Sequence, residues 1–265
     1  MIELPDSLFS TQPAPIVENA SGQGGVVLIC EHAGQLLPRS LGSLGLDTEA
    51  MSTHIAWDIG AAGLARTLSK QLDAPLILQR YSRLVFDCNR VMEAPDAIVE
   101  VSDGVEIPAN QYISAAERKS RFDQVYTPFE RAIEQVIDDC LQQGTSPAIV
   151  CIHSFTPLFK GEQRSLDLGI IHDPSDVTFA ACTLDLGRQS GEYSVALNQP
   201  YEARDGVTHT LEKHGVQRKL SNVMFEIRND LIGDSRGQAQ WAQRLESLIL
   251  GALGREAGNA NATNI

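Results

Sequence analysis

Short, largely apolar runs at 25–30, 75–79, 148–152, 167–171, 193–197 and 222–227 punctuate the chain. They are rich in Val, Ile and Leu, and several lack polar alternation, the pattern of strands covered on both faces. Between them, apolar residues recur at helical spacing. In DIGAAGLARTLSKQL (58–72), Ala61, Leu64, Ala65, Leu68 and Leu72 share one stripe, and Asp58 stands first, where a carboxylate suits the helix dipole. A second helix over 114–144 opens with the capping box Ser114 and Glu117, closes at Gly144 and should kink at Pro128. A last helix is predicted from about Ser235 to Leu253. Strands alternating with helices predict an α/β layer fold around a mostly parallel or mixed sheet. No repeat, linker or compositional break divides the chain, so one domain is expected over 1–254, with a flexible tail over 255–265.

Composition narrows the function classes. With 265 residues, 43% of them hydrophobic, the chain has material for a sizeable core. A net charge of −13 disfavours nucleic acid and anionic membranes as partners, and no basic patch offsets it. The five cysteines show no CxxC spacing and fall mostly in apolar runs, as free thiols in a reducing compartment do. The N-terminus lacks the basic and apolar regions of a signal peptide, and no run is long enough to span a bilayer. A cytoplasmic protein acting on a small molecule is expected, its oligomeric state open.

The chemistry gathers where apolar runs stop. Val26–Cys30 ends in Glu31-His32-Ala33-Gly34, and AIVCIHS (148–154) repeats the arrangement with His153. Two strand-end histidines and a carboxylate at a helix start are the ingredients of an open three-ligand zinc site. Each also has a plainer reading. A histidine after a strand is usually a hydrogen-bonded structural residue, and Asp58 serves equally as a helix cap. DCNR (87–90) reads as an Asx turn with a solvated arginine, and Glu226 with Arg228 as a structural ion pair. His54, His172, His209 and His214 are expected to be structural, His214 as a cap before Gly215. SGQGG (21–25) precedes a strand instead of following one, which argues against a phosphate loop.

Six segments in order, EHAGQLLP, HIAWDIGAAGLA, YSRLVFDCNR, IHSFTP, DGVTHTLEKHG and FEIRNDL, resemble the N-formylglutamate amidohydrolase family from about Val26 to Leu250. Through it the chain is distantly similar to zinc carboxypeptidases and to the aspartoacylase and succinylglutamate desuccinylase group. The resemblance implies a three-layer α/β/α fold of the zinc-carboxypeptidase type and a single catalytic domain. It implies zinc, or another divalent ion, on His32, Asp58 and His153. The relatives carry a glutamate three residues after the first histidine, where this chain has Gln35; Asp58 is taken as its replacement and Glu31 as the fallback ligand.

By the same resemblance Glu226 is the general base and then the general acid; Arg83, a few residues before DCNR, is placed to steady the developing oxyanion. Asn89 and Arg90 grip a substrate carboxylate, Asp87 orients an arginine, and Arg164 and Ser154 complete substrate binding. Arg228 takes a second substrate carboxylate or pairs with Asp230. The implied reaction is metal-dependent hydrolysis of the N-acyl amide of an acidic amino acid, N-formyl-L-glutamate to formate and glutamate. Another N-acyl amino acid or a small peptide as substrate, and a binding protein without catalysis, stay open. Specificity is placed in loops 92–112 and 155–166.

Overall fold

The computed structural model describes residues 15–263. Residues 1–14, where a leader was looked for, and the tail positions 264–265 lie outside the described residues. The strands are β1 (Ile16–Glu18), β2 (Val26–Cys30), β3 (Leu76–Leu78), β4 (Val101–Ser102), β5 (Val105–Glu106), β6 (Ala148–Phe155), β7 (Leu158–Phe159), β8 (Glu162–Gln163), β9 (Leu168–Ile171), β10 (Val195–Leu197) and β11 (Asn222–Arg228). The α-helices are α1 (Thr48–Ser52), α2 (Ala61–Leu72), α3 (Ala115–Arg121), α4 (Thr127–Gln142), α5 (Thr178–Ser190) and α6 (Ser235–Thr263).

Seven strands form one mixed sheet in the order β1-β3-β2-β6-β11-β9-β10. β3, β2, β6 and β11 run parallel, while β1 is antiparallel to β3 and β9 is antiparallel to β11. The alternation of side chains divides the interior in two. Val26, Leu28 and Cys30 of β2 and Val150 and Ile152 of β6 face a core with α2, α5 and α6. Val27, Ile29, Ile149 and Cys151 face a second core with α4. Helices on both faces of a mixed sheet make the α/β sandwich that the alternating pattern predicted. All six predicted strands are present, and β1 is an addition: three residues, Ile16 to Glu18, carry too little pattern to be read.

The helices depart from expectation in three ways. Asp58 does not cap α2: Gly60, at φ 82°, is the N-cap, and a Cβ there would lie 2.2 Å from the Ile232 carbonyl oxygen. Ser114 caps α3 as predicted, accepting from the Glu117 N–H. The expected kink at Pro128 takes the form of a π-helical turn, Phe122–Tyr126, which leads into α4 just where Pro128 removes a backbone donor. Helix α6 continues past Leu253 to Thr263, through most of the stretch expected as a tail.

Outside the main sheet, β4–β5 and β7–β8 are two hairpins with two-residue turns, Asp103-Gly104 and Lys160-Gly161. All four turn residues have positive φ, as type I′ turns require. Among the described residues no helix is long and apolar enough to cross a membrane. The cysteines are free, with Cys30, Cys88 and Cys151 buried.

Candidate active site

The carboxyl ends of the parallel strands converge on a cavity of about 640 Å³, a volume typical of small-molecule sites. His32 follows β2 directly. His153 lies within β6, on the face of Ile149 and Cys151, and parallel pairing sets Glu226 of β11 directly opposite it. The apolar periodicity of both strands therefore carries two polar groups onto one face where the core ends. Asp58 joins them through its backbone: its N–H donates to the His32 carbonyl at 3.0 Å, closing off the intervening loop.

His32, Asp58 and His153 are buried and lie close enough together to hold a metal ion. His153 Nδ1 stands 3.2 Å from His32 Nδ1 and 2.8 Å from Asp58 Oδ2, and His32 Nδ1 stands 3.4 Å from the same oxygen. A tetrahedral ion with bonds of about 2.1 Å spaces its ligands about 3.4 Å apart, so the three atoms sit close to the edges such an ion needs. The distal nitrogens both face carboxylates. His32 Nε2 is 2.7 Å from Asp87 Oδ1, and His153 Nε2 is 3.1 Å from Glu31 Oε2. Asp87 is thus hydrogen-bonded to His32, the outer-shell arrangement that fixes tautomer and ring orientation, while Glu31 faces His153 at ion-pair distance without a hydrogen bond. Glu31, the fallback ligand, faces the far side of the His153 ring. The link between Asp87 and His32 escaped sequence reasoning, which gave Asp87 only an arginine.

Charge matches this geometry. Burial works against ionisation of Asp58 and Asp87, but the facing histidines, joined at Asp87 by Arg83, hold both carboxyls below the usual carboxylate range. Burial likewise opposes the charge on Glu31, yet His153 pulls it down to about 2. Glu226 differs. Its burial, aided by the Asp58 charge, pushes it up to about 7 against the pull of His153, His32 and Arg83. Its Oε2 is buried and has no hydrogen-bond partner among the described residues.

The remaining predicted residues separate by their partners. Arg83 lines the cavity, donating to Asp87 Oδ2 at 2.8 Å, with Asp58 Oδ1 at 3.6 Å. Ser154 donates its N–H to Asp58 Oδ2 and its hydroxyl to the Ile59 carbonyl, so it braces the carboxylate. Asn89 and Arg90 reach the wall but are engaged. Asn89 Oδ1 accepts from the N–H and hydroxyl of Thr210, and its amide donates to the Val207 carbonyl. Arg90 donates to Asp96 and to the carbonyls of Asn89 and Gly206. Arg228 lies outside the cavity lining and pairs with Asp230, the second of its two expected roles, and with Asp167. Arg164 lines the cavity beside Tyr201, a residue with no sequence signal. His214 caps no helix; it is buried, with Nε2 3.0 Å from Glu130.

A mixed α/β sheet with a glutamate and a His-Asp-His cluster that could hold a metal ion at its parallel strand ends has the layout of a hydrolase. The N-formylglutamate amidohydrolase family profile matches residues 24–233, and the chain belongs to that family. The chain is similar to a gene product of Agrobacterium tumefaciens, Atu2144, with 42% identity and a TM-score of 0.90 over 93% of this chain and 97% of that one. It shares the fold of an N-formylglutamate amidohydrolase from Ralstonia eutropha JMP134, with 18% identity and a TM-score of 0.64 over 92% and 99% of the two chains. No curated protein sequence matches the chain significantly.

Proposed function

We propose that this protein is a metal-dependent amidohydrolase that cleaves N-formyl-L-glutamate to formate and glutamate, acting in the cytoplasm. The observation that carries it is Glu226, a buried carboxylate with an unpartnered oxygen, set by strand register opposite His153 and in the same cavity as His32 and Asp58. His32, Asp58 and His153 would hold one divalent ion, zinc by its ligand set, though mixed N/O donors admit other ions. When bound, that ion supplies Lewis acidity toward an amide carbonyl and acidifies a water.

The chain's own residues do the rest. Glu226 takes the proton of the attacking water and returns it to the leaving amine nitrogen. Arg83 presents a cation to the carbonyl oxygen as negative charge develops there. Asp87 and Glu31 keep the imidazoles oriented. The test is Glu226→Gln, assayed for hydrolysis of N-formyl-L-glutamate and for bound metal. A fall in kcat of about 10²- to 10⁴-fold with metal retained supports the reading. Undiminished kcat removes Glu226 from the reaction, and wild-type protein that binds metal but never turns over the substrate is a binding protein instead.

A further inference from the structure

The cavity has three arginines in its wall, and two are already neutralised. Arg83 is paired with Asp87 and Asp58, and Arg90 with Asp96. Arg164 is different: among the described residues no carboxylate pairs with it. Its position is fixed instead by the β7–β8 hairpin, where its N–H donates to the Pro157 carbonyl at 2.7 Å, and by aromatic faces. The guanidinium carbon lies 4.3 Å from the Phe159 ring centroid, 5.3 Å from that of Tyr201 and 5.9 Å from that of Phe155. Rings against its faces leave the donor edge of a guanidinium open to an anion.

Tyr201 strengthens the case. Arg164 Nη1 lies 3.2 Å from the Tyr201 hydroxyl. Arginine only donates, so the phenol oxygen must accept, and its own O–H is left to donate elsewhere. No acceptor for that proton exists among the described residues. Burial raises the Tyr201 pKa, helped by the Glu226 charge, so the phenol keeps its proton at neutral pH. A guanidinium with no carboxylate partner and a phenol whose proton has no acceptor thus stand together in the cavity wall.

We propose that Arg164 and Tyr201 form a carboxylate receptor, so that the substrate is an N-acyl amino acid whose free carboxylate docks on this pair and not on Arg90. Arg90, bound to Asp96, the Asn89 carbonyl and the Gly206 carbonyl, holds the wall in shape. This rests on the amidohydrolase reading, and the experiment separates the two.

The first arm needs no turnover. Binding of glutarate, a plain dicarboxylate, is measured by calorimetry on metal-loaded wild type, Arg164→Met and Tyr201→Phe. The second arm compares KM for N-formyl-L-glutamate, N-formyl-L-glutamine (side-chain charge removed) and 4-formamidobutanoate (α-carboxylate removed). Losing a hydrogen bond to a charged group predicts glutarate binding about tenfold or more weaker in Arg164→Met, and a smaller loss in Tyr201→Phe, which keeps the aromatic face. In turnover most of the loss falls on KM. The KM ratio of variant to wild type should collapse toward one for whichever substrate lacks the docked carboxylate, which identifies that carboxylate. Equal ratios for all three substrates, or wild-type glutarate affinity in both variants, overturn the receptor. Glutarate binding that depends on Arg164 in a protein that hydrolyses none of the three substrates keeps the receptor and rejects the amidohydrolase.

Discussion

Asp87 holds His32 and Arg83 at once: Oδ1 lies 2.7 Å from His32 Nε2, and Oδ2 accepts from Arg83 Nη2 at 2.8 Å. One carboxylate therefore sets the angle between a cluster histidine and the cation nearest the cluster. Asp87→Asn keeps the shape but gives up charge toward both partners. Metal affinity should fall about 10- to 100-fold, the usual cost of losing an outer-shell carboxylate, read by titration against a metal-chelating dye.

The cluster itself predicts a shared loss. Protein purified without a tag and reconstituted with zinc should hold close to one equivalent by elemental analysis, and His32→Ala and His153→Ala should each abolish it. Stoichiometric metal in either variant would place the ion elsewhere.

Gly169 of β9 pairs with Glu226 across the sheet, and a Cβ there would lie 1.9 Å from the Gln199 carbonyl oxygen and 3.2 Å from the Glu226 Cβ. Since the nearest obstacle is backbone, Gly169→Ala should destabilise the fold by about 1–3 kcal/mol, measured by urea unfolding.

Away from the cavity, Glu130 is buried beside Lys213 and His214. Burial opposes its charge, but His214 and then Lys213 outweigh it and lower its pKa from 4.5. A carboxyl with a depressed folded-state pKa stabilises above its unfolded value and loses that contribution as the pH falls through the folded one. The gap in Tm between wild type and Glu130→Gln should be widest near neutrality and close below a pH of about 4.5. A gap that widens in acid would contradict this sign.

Arg228 provides a contrast. Its partners, Asp167 and Asp230, lie outside the cavity lining. Arg228→Ala should leave KM for N-formyl-L-glutamate at the wild-type value and cost at most about 1 kcal/mol of stability.

Much of the framework could be read from the chain because continuous apolar runs such as Val26–Cys30 admit few other states. His32 and His153 stood out because each breaks such a run at its carboxyl end. Asp58 was harder: a carboxylate at the head of a helical stripe suggests a cap, and only the structure shows Gly60 in that role and Asp58 turned toward His153. Glu31 and Asp87 gave no sign of their histidine partners, since contacts between imidazole and carboxylate have no sequence spacing. Tyr201 was silent for the same reason. The β4–β5 hairpin had a local signal, Asp103-Gly104, but strands of two residues carry no periodicity to support it.

The two hairpins hang from the rim while the histidines and Glu226 belong to the sheet. Lys160 donates its N–H to Asp103 at 3.1 Å, which ties the two turns to each other. Such a division predicts modularity: the hairpins, which lie outside the main sheet, should tolerate exchange or lengthening while the strands that carry His153 and Glu226 keep their register.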